Sequence, residues 1–532
     1  MAPRKEVVYE NGRLKGKMLN TSTCNKLEAL LKLNKENGVV EDLRNVICEL
    51  TSSEVDLIKS TKNNEFIDID GRKGRLENTQ TLGVAYMYFA ERLILGDSVG
   101  MGKTVEVCGL CNLLEAEYTK KGMEFRFLLL TGKNLVSQVR DEMIKFTGNY
   151  IGEVQGVKDC VQKYIKENKE DILYSVVGSH SLVNSVDFQN FVRYYIEEKG
   201  YAPFDLIVID EAGDILSNTS TQIYKNAKYL ESNCDRVVLL NATAFEKELK
   251  QFYNQLDFID DTLLPTKTAF SNEYEEKKWD YRVGYAVPSG KYKNAEKFRE
   301  LVAYRYFART RKETGAIMEN CSAEVILSDL SPEQKSLLNK VSIPAMVYDC
   351  PSYFEFNGVE TNIETTPKLK DLLGLIYGSL KDEKTILVYA RYKEAQMCIK
   401  EILEEYDISC RILNGDSSQK EREDTINSFK LSDFRVLITN VQKGLNFGNC
   451  NACIFYDYDP NPNKMVQFEG RMTREYNIRN KKVFLLISRG AELKSFKTVV
   501  ADRAQASNLF AGSDFSCVLS ILLKEDKLKE LV

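Results

Sequence analysis

One histidine, His180, and one tryptophan, Trp279, occur in 532 residues, together with only ten prolines. A single imidazole excludes zinc peptidase motifs, which need two, and a hydrolase triad would have to rest on His180 alone. No run of 18 apolar residues is present, and Met1-Ala2-Pro3-Arg4-Lys5 is followed by polar sequence where a signal peptide carries its apolar segment. A cytoplasmic protein with no membrane partner is the expectation. Charge of one sign is also missing: 73 basic against 78 acidic residues give −5, so attraction to nucleic acid has to come from a local patch. The 13 cysteines are odd in number and thinly spread, which fits reduced thiols better than a disulfide framework. Cys108/Cys111 and Cys450/Cys453 have metal-like spacing, but the first pair falls in a helical stretch and buried thiols are expected at both.

What is present is ordinary globular composition, 43% apolar and 28% charged, in a chain long enough for roughly three domains. Short apolar runs bounded by turn residues alternate with helical stretches and fall into two sets. The first holds Leu93 to Leu95, Phe127 to Leu130, Leu173 to Val177, Leu206 to Ile209 and Val237 to Leu240. The second holds Ile386 to Tyr389, Cys410 to Leu413, Val436 to Ile438, Ala452 to Phe455 and Val483 to Ile487. Each run suits a strand buried on both faces, and the intervening helices predict two α/β units built on parallel sheets. Little strand signal is visible between 260 and 365, and Pro351 to Pro367 reads as a linker. The predicted organisation is an accessory region at 1–75, a first unit at 76–260, a basic, helical connecting region at 261–365, a second unit at 366–505 and a tail at 506–532.

The first run leads into Gly96-Asp97-Ser98-Val99-Gly100-Met101-Gly102-Lys103-Thr104 and then a helix. Strand, glycine loop and helix together form a phosphate cradle. Gly100 and Gly102 let successive N–H groups point at phosphate oxygens, Lys103 reaches the terminal phosphates, and the Thr104 hydroxyl suits magnesium. A tight strand-to-helix turn is the plainer alternative. The fourth run ends in Asp210-Glu211-Ala212-Gly213. At the carboxyl end of a parallel strand, Asp210 suits the metal while Glu211 orients and deprotonates a water. A third element, Gln467-Phe468-Glu469-Gly470-Arg471-Met472-Thr473-Arg474, places Gln467, Arg471 and Arg474 on one helical face, which can present two guanidinium groups to a phosphate; a solvated basic face is the alternative.

These three elements, in this order and split between two units, resemble the superfamily-two helicases and translocases over about residues 75 to 500. The resemblance implies two tandem RecA-like parallel-sheet domains with a nucleotide cleft between them, and ATP with Mg2+ as ligands. It assigns Gln80 to the adenine, Thr243 of Asn241-Ala242-Thr243 to coupling hydrolysis with movement, and the loops holding Thr131 to Gln138, Ser179 to Ser181, Asn414 to Asp416 and Thr439 to Asn446 to strand contacts. His180 then reads as a loop residue.

Asp97 at the head of the loop, Arg309-Thr310-Arg311-Lys312, Leu330-Ser331-Pro332-Glu333-Gln334 and Tyr456-Asp457-Tyr458-Asp459-Pro460-Asn461-Pro462 resemble the chromatin-remodeller-like and RapA-like branch, which translocates on double-stranded DNA. Gly213 replaces that branch's usual histidine, Ala244 a proline and Pro460 a tryptophan, while Gly470 is closer to general helicases. The short 245–365 interval resembles a compact phage or bacterial member. From Lys277 to Lys312, 11 basic residues face three acidic ones, an excess of +8 that includes Lys278, Arg282, Arg309 and Arg311 with Trp279, Tyr281, Tyr285 and Tyr292 interleaved. This stretch is expected to hold backbone phosphates, and a solvated helix face with core aromatics is the alternative. Nucleic acid, foremost double-stranded DNA, is the expected partner, with a protein partner for residues 1–75. The alternatives to a translocase are a strand-separating DNA or RNA helicase, which uses the same engine, and, of a different class, an ATP-gated remodeller of a nucleic-acid-bound complex such as RNA polymerase.

Overall fold

The computed structural model describes residues 19–35, 76–98, 100–147, 175–241, 248–281, 284–310, 321–338, 344–350, 365–441, 450–460, 462–469 and 481–510. It also describes short strands at 9–10, 13–14, 66–67, 73–74 and 152–154 and positions 54, 56, 341 and 447. The chain divides into two units, Met1–Ala316 with Leu509–Ser513, and Ile317–Asn508 with Asp514–Val532.

The first unit is built on a seven-stranded sheet whose order across the sheet is Tyr306–Phe307, Arg92–Leu95, Arg236–Leu240, Leu206–Asp210, Phe127–Thr131, Ser175–Ser179 and Gly152–Val154. Every pairing in it is parallel. Its central strands are apolar and buried apart from charged residues at their ends because helices cover both faces, which is why they read as hydrophobic runs. The helix Lys103–Lys120 sets Val107, Cys108, Leu110, Cys111 and Leu114 into the apolar cluster of one face. Each fully buried aliphatic side chain there contributes about 1.5–3 kcal/mol over leaving it in water. The helix Thr21–Lys35 buries Leu27, Leu30 and Leu33 in the same cluster, so this stretch of the expected accessory region is part of the first unit's core.

The second unit carries six parallel strands in the order Cys321–Ser328, Lys481–Ser488, Ala452–Phe455, Ile386–Tyr389, Val436–Thr439 and Cys410–Leu413. Alternate residues of one strand enter opposite cores: Ile386 and Val388 on one face, Leu387 and Tyr389 on the other. All ten apolar runs lie in or overlap the strands of these two sheets, Leu173 and Tyr174 lying outside the described residues. The cysteines of metal-like spacing, Cys108, Cys111, Cys450 and Cys453, are buried thiols, and Cys450 donates to the Ala452 carbonyl at 3.1 Å.

The stretch 261–365 carries strands as well as the helices expected of it. Its strand Tyr306–Phe307 completes the first sheet, Cys321–Ser328 opens the second, and Glu275–Asp280 pairs with Tyr285–Tyr292 in a separate hairpin. These strands escape an apolar-run reading because one is two residues long and the others are edge or exposed strands studded with charge and hydroxyl groups. Of the expected linker only 365–367 is described, where Thr366 caps the helix Pro367–Tyr377 by accepting the Leu369 N–H.

Lys368, in that helix, is buried and donates to Asp349 Oδ1 at 2.7 Å and Glu492 Oε1 at 2.8 Å. One ammonium thus joins the helices Pro344–Asp349, Pro367–Tyr377 and Ala491–Phe510. Burial, with Glu492 adding to it, pushes the Asp349 carboxyl up to about 7 against the pull of Lys368. Lys368→Ala, which leaves two buried carboxylates without their cation, should destabilise the second unit by about 3–5 kcal/mol in urea denaturation. A loss under 1 kcal/mol would show that the three helices hold together without this cluster.

Candidate functional site

Leu240 pairs with Leu95 on one side and with Asp210 on the other. Three neighbouring strands therefore end level, and the chain leaves their carboxyl edge through Gly96, Glu211 and Asn241. Two inter-strand steps, roughly 10 Å, separate the Arg92–Leu95 strand from the one ending in Asp210. That is the scale on which a loop and a strand end share a phosphate chain, and this edge is where open parallel sheets bind ligands.

The loop after Leu95 feeds the N-terminus of the helix Lys103–Lys120. Gly100 and Gly102 both hold φ of +83°, a left-handed backbone that favours glycine. At Gly102 a β-carbon would also stand 2.6 Å from Gln80 Nε2. Gln80 donates that Nε2–H to the Met101 carbonyl at 3.2 Å and accepts the Glu77 N–H at 3.0 Å, so its amide braces the loop from the first turn of its own helix. Lys103 is half-buried and folds back, donating to the Asp97 carbonyl at 2.6 Å and the Ser98 carbonyl at 3.3 Å. Desolvation draws its ammonium below the ordinary range, against the pull of Asp97, Glu211, Asp210 and Glu106. Thr104 sits in the first helical turn, where N–H groups and the dipole favour anions.

Arg309 was expected to hold nucleic-acid phosphate, and the structure corrects this. Its side chain is 1% exposed, and its guanidinium lies against both Asp97 carboxylate oxygens and donates to Glu106 Oε1 at 2.5 Å and to the Thr79 carbonyl. The Arg309 N–H adds a bond to Asp97 Oδ1 at 2.8 Å. The segment after the edge strand Tyr306–Phe307 is thereby tied to both ends of the glycine loop. Two carboxylates share one cation, and Glu106 Oε2 has no hydrogen-bond partner. Burial pushes the Glu106 carboxyl up to about 8, with Asp97 adding to the rise and Arg309 opposing it. Gly83 permits this packing, since a β-carbon there would lie 2.3 Å from Glu106 Oε2. Arg305, from the same basic stretch, is likewise buried and bonds Asp260 Oδ2 at 2.8 Å. Of the +8 stretch, Lys277, Lys278, Lys291, Lys293 and Lys297 are exposed.

At the acidic strand end, Asp210 Oδ2 accepts the Thr131 hydroxyl at 3.0 Å and Oδ1 accepts the Glu211 N–H at 3.1 Å. These bonds aim the carboxylate. Glu211 has φ of +48°, an uncommon backbone for a residue with a β-carbon, at the point where the chain turns off the strand. His180 Nε2 lies 2.7 Å from the Asp210 carbonyl oxygen, making His180 a support for this strand end that its loop position did not reveal. Asn241 was legible only as the head of its motif. Its N–H donates to the Leu95 carbonyl at 3.0 Å, its Oδ1 accepts the Gly213 N–H at 3.1 Å and its Nδ2 bonds Gln255. It links the glycine-loop strand to the turn carrying the acids.

Gln80, Gly100, Gly102, Lys103, Thr104, Asp210 and Glu211 thus belong to one edge of the first sheet. Gln467 lies in the helix Pro462–Glu469 of the second unit. Arg471, Arg474, Thr243, Arg282 and Arg311 lie outside the described residues. Thr439 is fully buried, its hydroxyl accepting the Val441 N–H at 3.0 Å, so its side chain is not a surface contact. Lys278 is exposed on the hairpin. Among the described residues no His/Cys/Asp/Glu group of three or more is placed to hold a metal, and no helix is long and apolar enough to cross a membrane. Asp210 and Thr104 still offer the carboxylate and hydroxyl donors that magnesium takes when most of its other ligands are phosphate and water.

A glycine-loop lysine and a strand-end acid pair at one parallel-sheet edge, followed by a second parallel α/β unit, define a two-unit P-loop ATPase with tandem RecA-like folds. Residues 79–382, more than half of the chain, match the SNF2-related domain, and residues 367–475 match the helicase conserved C-terminal domain. The chain belongs to the SNF2-related family of superfamily-two, helicase-like ATPases. It is similar to DNA repair and recombination protein RAD54B of Mus musculus, 22% identical over 75% of this chain and 51% of the relative. It is also similar to the uncharacterized ATP-dependent helicase YqhH of Bacillus subtilis, 24% identical over 72% of this chain and 70% of the relative. A third relative, the SWI/SNF-related matrix-associated actin-dependent regulator of chromatin subfamily A-like protein 1 of Xenopus tropicalis, is 23% identical over 75% of this chain and 41% of its own. The chain thus spans about half the length of RAD54B. The Sulfolobus solfataricus SWI2/SNF2 ATPase core in complex with dsDNA aligns with 86% of this chain and 97% of its own at 18% identity and a TM-score of 0.38.

With the Glu106 carboxyl raised from 4.5 to about 8 by the fold, the native protein should bind more protons than the unfolded chain between about pH 4.5 and 8. The stability this group contributes is complete below about pH 4.5 and is lost as pH rises toward 8. Glu106→Gln, which cannot titrate, should flatten that decline in denaturation curves taken at several pH values; an unchanged slope would show that Glu106 is ionised in the fold. Arg309→Ala should cost about 3–5 kcal/mol in the same assay by leaving Asp97 without its cation.

Proposed function

We propose that this chain is an ATP-driven motor that translocates on double-stranded DNA, each cycle of binding and hydrolysis closing and reopening the two units. The observation that supports it most directly is the level gathering of Lys103, Asp210, Glu211 and Asn241 on one sheet edge. Lys103 exchanges the Asp97 and Ser98 carbonyls for terminal phosphate oxygens, while the backbone N–H groups around Gly100 and Gly102 hold the rest of the chain. Thr104 and Asp210 would hold magnesium, which when bound neutralises phosphate charge. Glu211 orients the attacking water and takes its proton. Gln80, already against the glycine loop, reports adenine occupancy to it. In this reading Arg471, Arg474 and Gln467 of the second unit would act on the terminal phosphate, and Thr243 would pass hydrolysis on to movement.

Duplex DNA is the favoured track because Asp97, Leu330 to Gln334 and Tyr456 to Pro462 resemble the duplex-translocating branch, and because relatives such as RAD54B are named for DNA repair and recombination. A protein remodeller would hydrolyse ATP with indifference to every nucleic acid.

Glu211→Gln should retain bound ATP with at least a hundredfold loss of turnover, and Arg474→Ala should lower turnover with nucleotide affinity nearly unchanged, as positioning and electrostatics dominate phosphoryl transfer. Hydrolysis by the unmodified chain should rise most with duplex DNA, less with single-stranded DNA and RNA, and should drive triplex displacement. Unaltered steady-state hydrolysis in both variants would remove the mechanism; equal rates with and without nucleic acid would remove the motor.

A further inference from the structure

Between the helices Lys267–Tyr274 and Ala295–Val302 the chain extends into an antiparallel hairpin, Glu275–Asp280 paired with Tyr285–Tyr292, which forms a two-stranded sheet of its own. Its root is fixed. Tyr274 packs on Phe270 and Phe298 with ring centroids 4.9 and 5.3 Å away, Lys293 N–H donates to the Tyr274 carbonyl at 3.0 Å, and Asn294 Nδ2 donates to the Glu273 carbonyl at 2.9 Å. Its far end is different. Trp279 is 57% exposed, Tyr281 90% and Tyr285 60%.

Large rings left in water serve no packing role, and a two-stranded ribbon gains little stability from its own pairing. The chemistry around these rings narrows what they meet. Lys277, Lys278, Lys291 and Lys293 are exposed on the hairpin and its base, against Glu276 as the exposed acid, in a chain whose net charge is −5. Lysine is depleted at the centre of protein interfaces, whereas rings set among lysines suit a polyanion that also offers flat aromatic faces. Nucleic acid has both, but a closed duplex hides its base faces inside the stack. Rings in this position address bases that have lost their neighbours, at a junction or on a displaced strand.

We propose that the tip of this hairpin, Trp279 with Tyr281 and Tyr285, stacks on unpaired bases at a single-strand/duplex junction, while Lys277 and Lys278 hold the flanking phosphates. The proposal rests on the reading of the chain as a nucleic-acid motor and adds a structure-sensing contact to it.

Trp279 is the sole tryptophan of the chain, so intrinsic tryptophan emission of the full-length protein reports on the hairpin directly. Titration with a forked DNA should quench that emission, and a dumbbell duplex with closed ends should leave it nearly unchanged. Tyr281→Ala/Tyr285→Ala, which retains the reporter, should weaken binding to the fork about tenfold while stimulation of hydrolysis by the dumbbell is preserved. Emission indifferent to the fork, or quenched equally by fork and dumbbell, overturns the proposal even when the dumbbell stimulates hydrolysis, and the former outcome leaves the hairpin as a protein-docking element. Quenching by the fork with no stimulation by any nucleic acid sustains the stacking contact and sinks the motor instead.

Discussion

The buried meeting of Arg309 with Asp97 and Glu106 is the constraint around which the first unit is arranged. It joins the head of the glycine loop, the helix that follows Lys103 and the segment after the last strand of the sheet, residues more than 200 positions apart in sequence. Desolvating three ionisable groups is costly, and a cluster of this kind is weak grounds for stability as such. What it supplies is position. The loop cannot drift along the sheet edge without pulling a guanidinium away from a carboxylate in a dry environment, where the separation is most heavily penalised. Gly83 reserves the space this requires.

The second unit solves a comparable problem in the same way. Lys368 stands between Asp349 and Glu492, and Ser488 N–H donates to Glu492 Oε2 at 2.7 Å, so a helix start is secured against the end of its preceding strand. Nearby, Asp457 accepts the Arg391 N–H with both oxygens at 3.0 Å, and burial raises its carboxyl well above the usual range. In both units one cation serves two acids, and an acid of each set is driven toward neutrality. Charge is used here to fix where helices begin relative to strand ends, the places from which functional loops depart.

Much of this was legible in the sequence. Most of the ten apolar runs correspond to strands because a strand buried on both faces has no polar position to interrupt its pattern, the edge strand Cys410–Leu413 with its exposed Arg411 being the exception, and Gly100 to Thr104 and Asp210-Glu211 could be placed because their chemistry requires a strand end. What escaped was of two kinds. The strands Cys321–Ser328 and Glu275–Asp280 lie at an edge or in solvent, where alternation is blurred by Glu324 or by the Glu-Glu-Lys-Lys run. Arg305 and Arg309 read as a basic patch because sequence counts charges without showing which of them point inward. Only the partners, Asp260 for one and Asp97 with Glu106 for the other, reveal that these arginines are interior. His180, recognisable by its rarity, gave no sign that it would brace the Asp210 carbonyl.

Lys103 does not wait with its charge exposed: it already donates to two carbonyls of its own loop. In the proposed motor a triphosphate arriving there would replace one set of acceptors with another, so the ammonium would add less to net affinity than to the choice among anions, favouring those with charge concentrated enough to outcompete a pair of peptide oxygens. The same carbonyls would receive the lysine again as products depart, which would lower the barrier to letting go. A site built in this way is suited to rapid exchange of a plentiful ligand more than to retention of a scarce one.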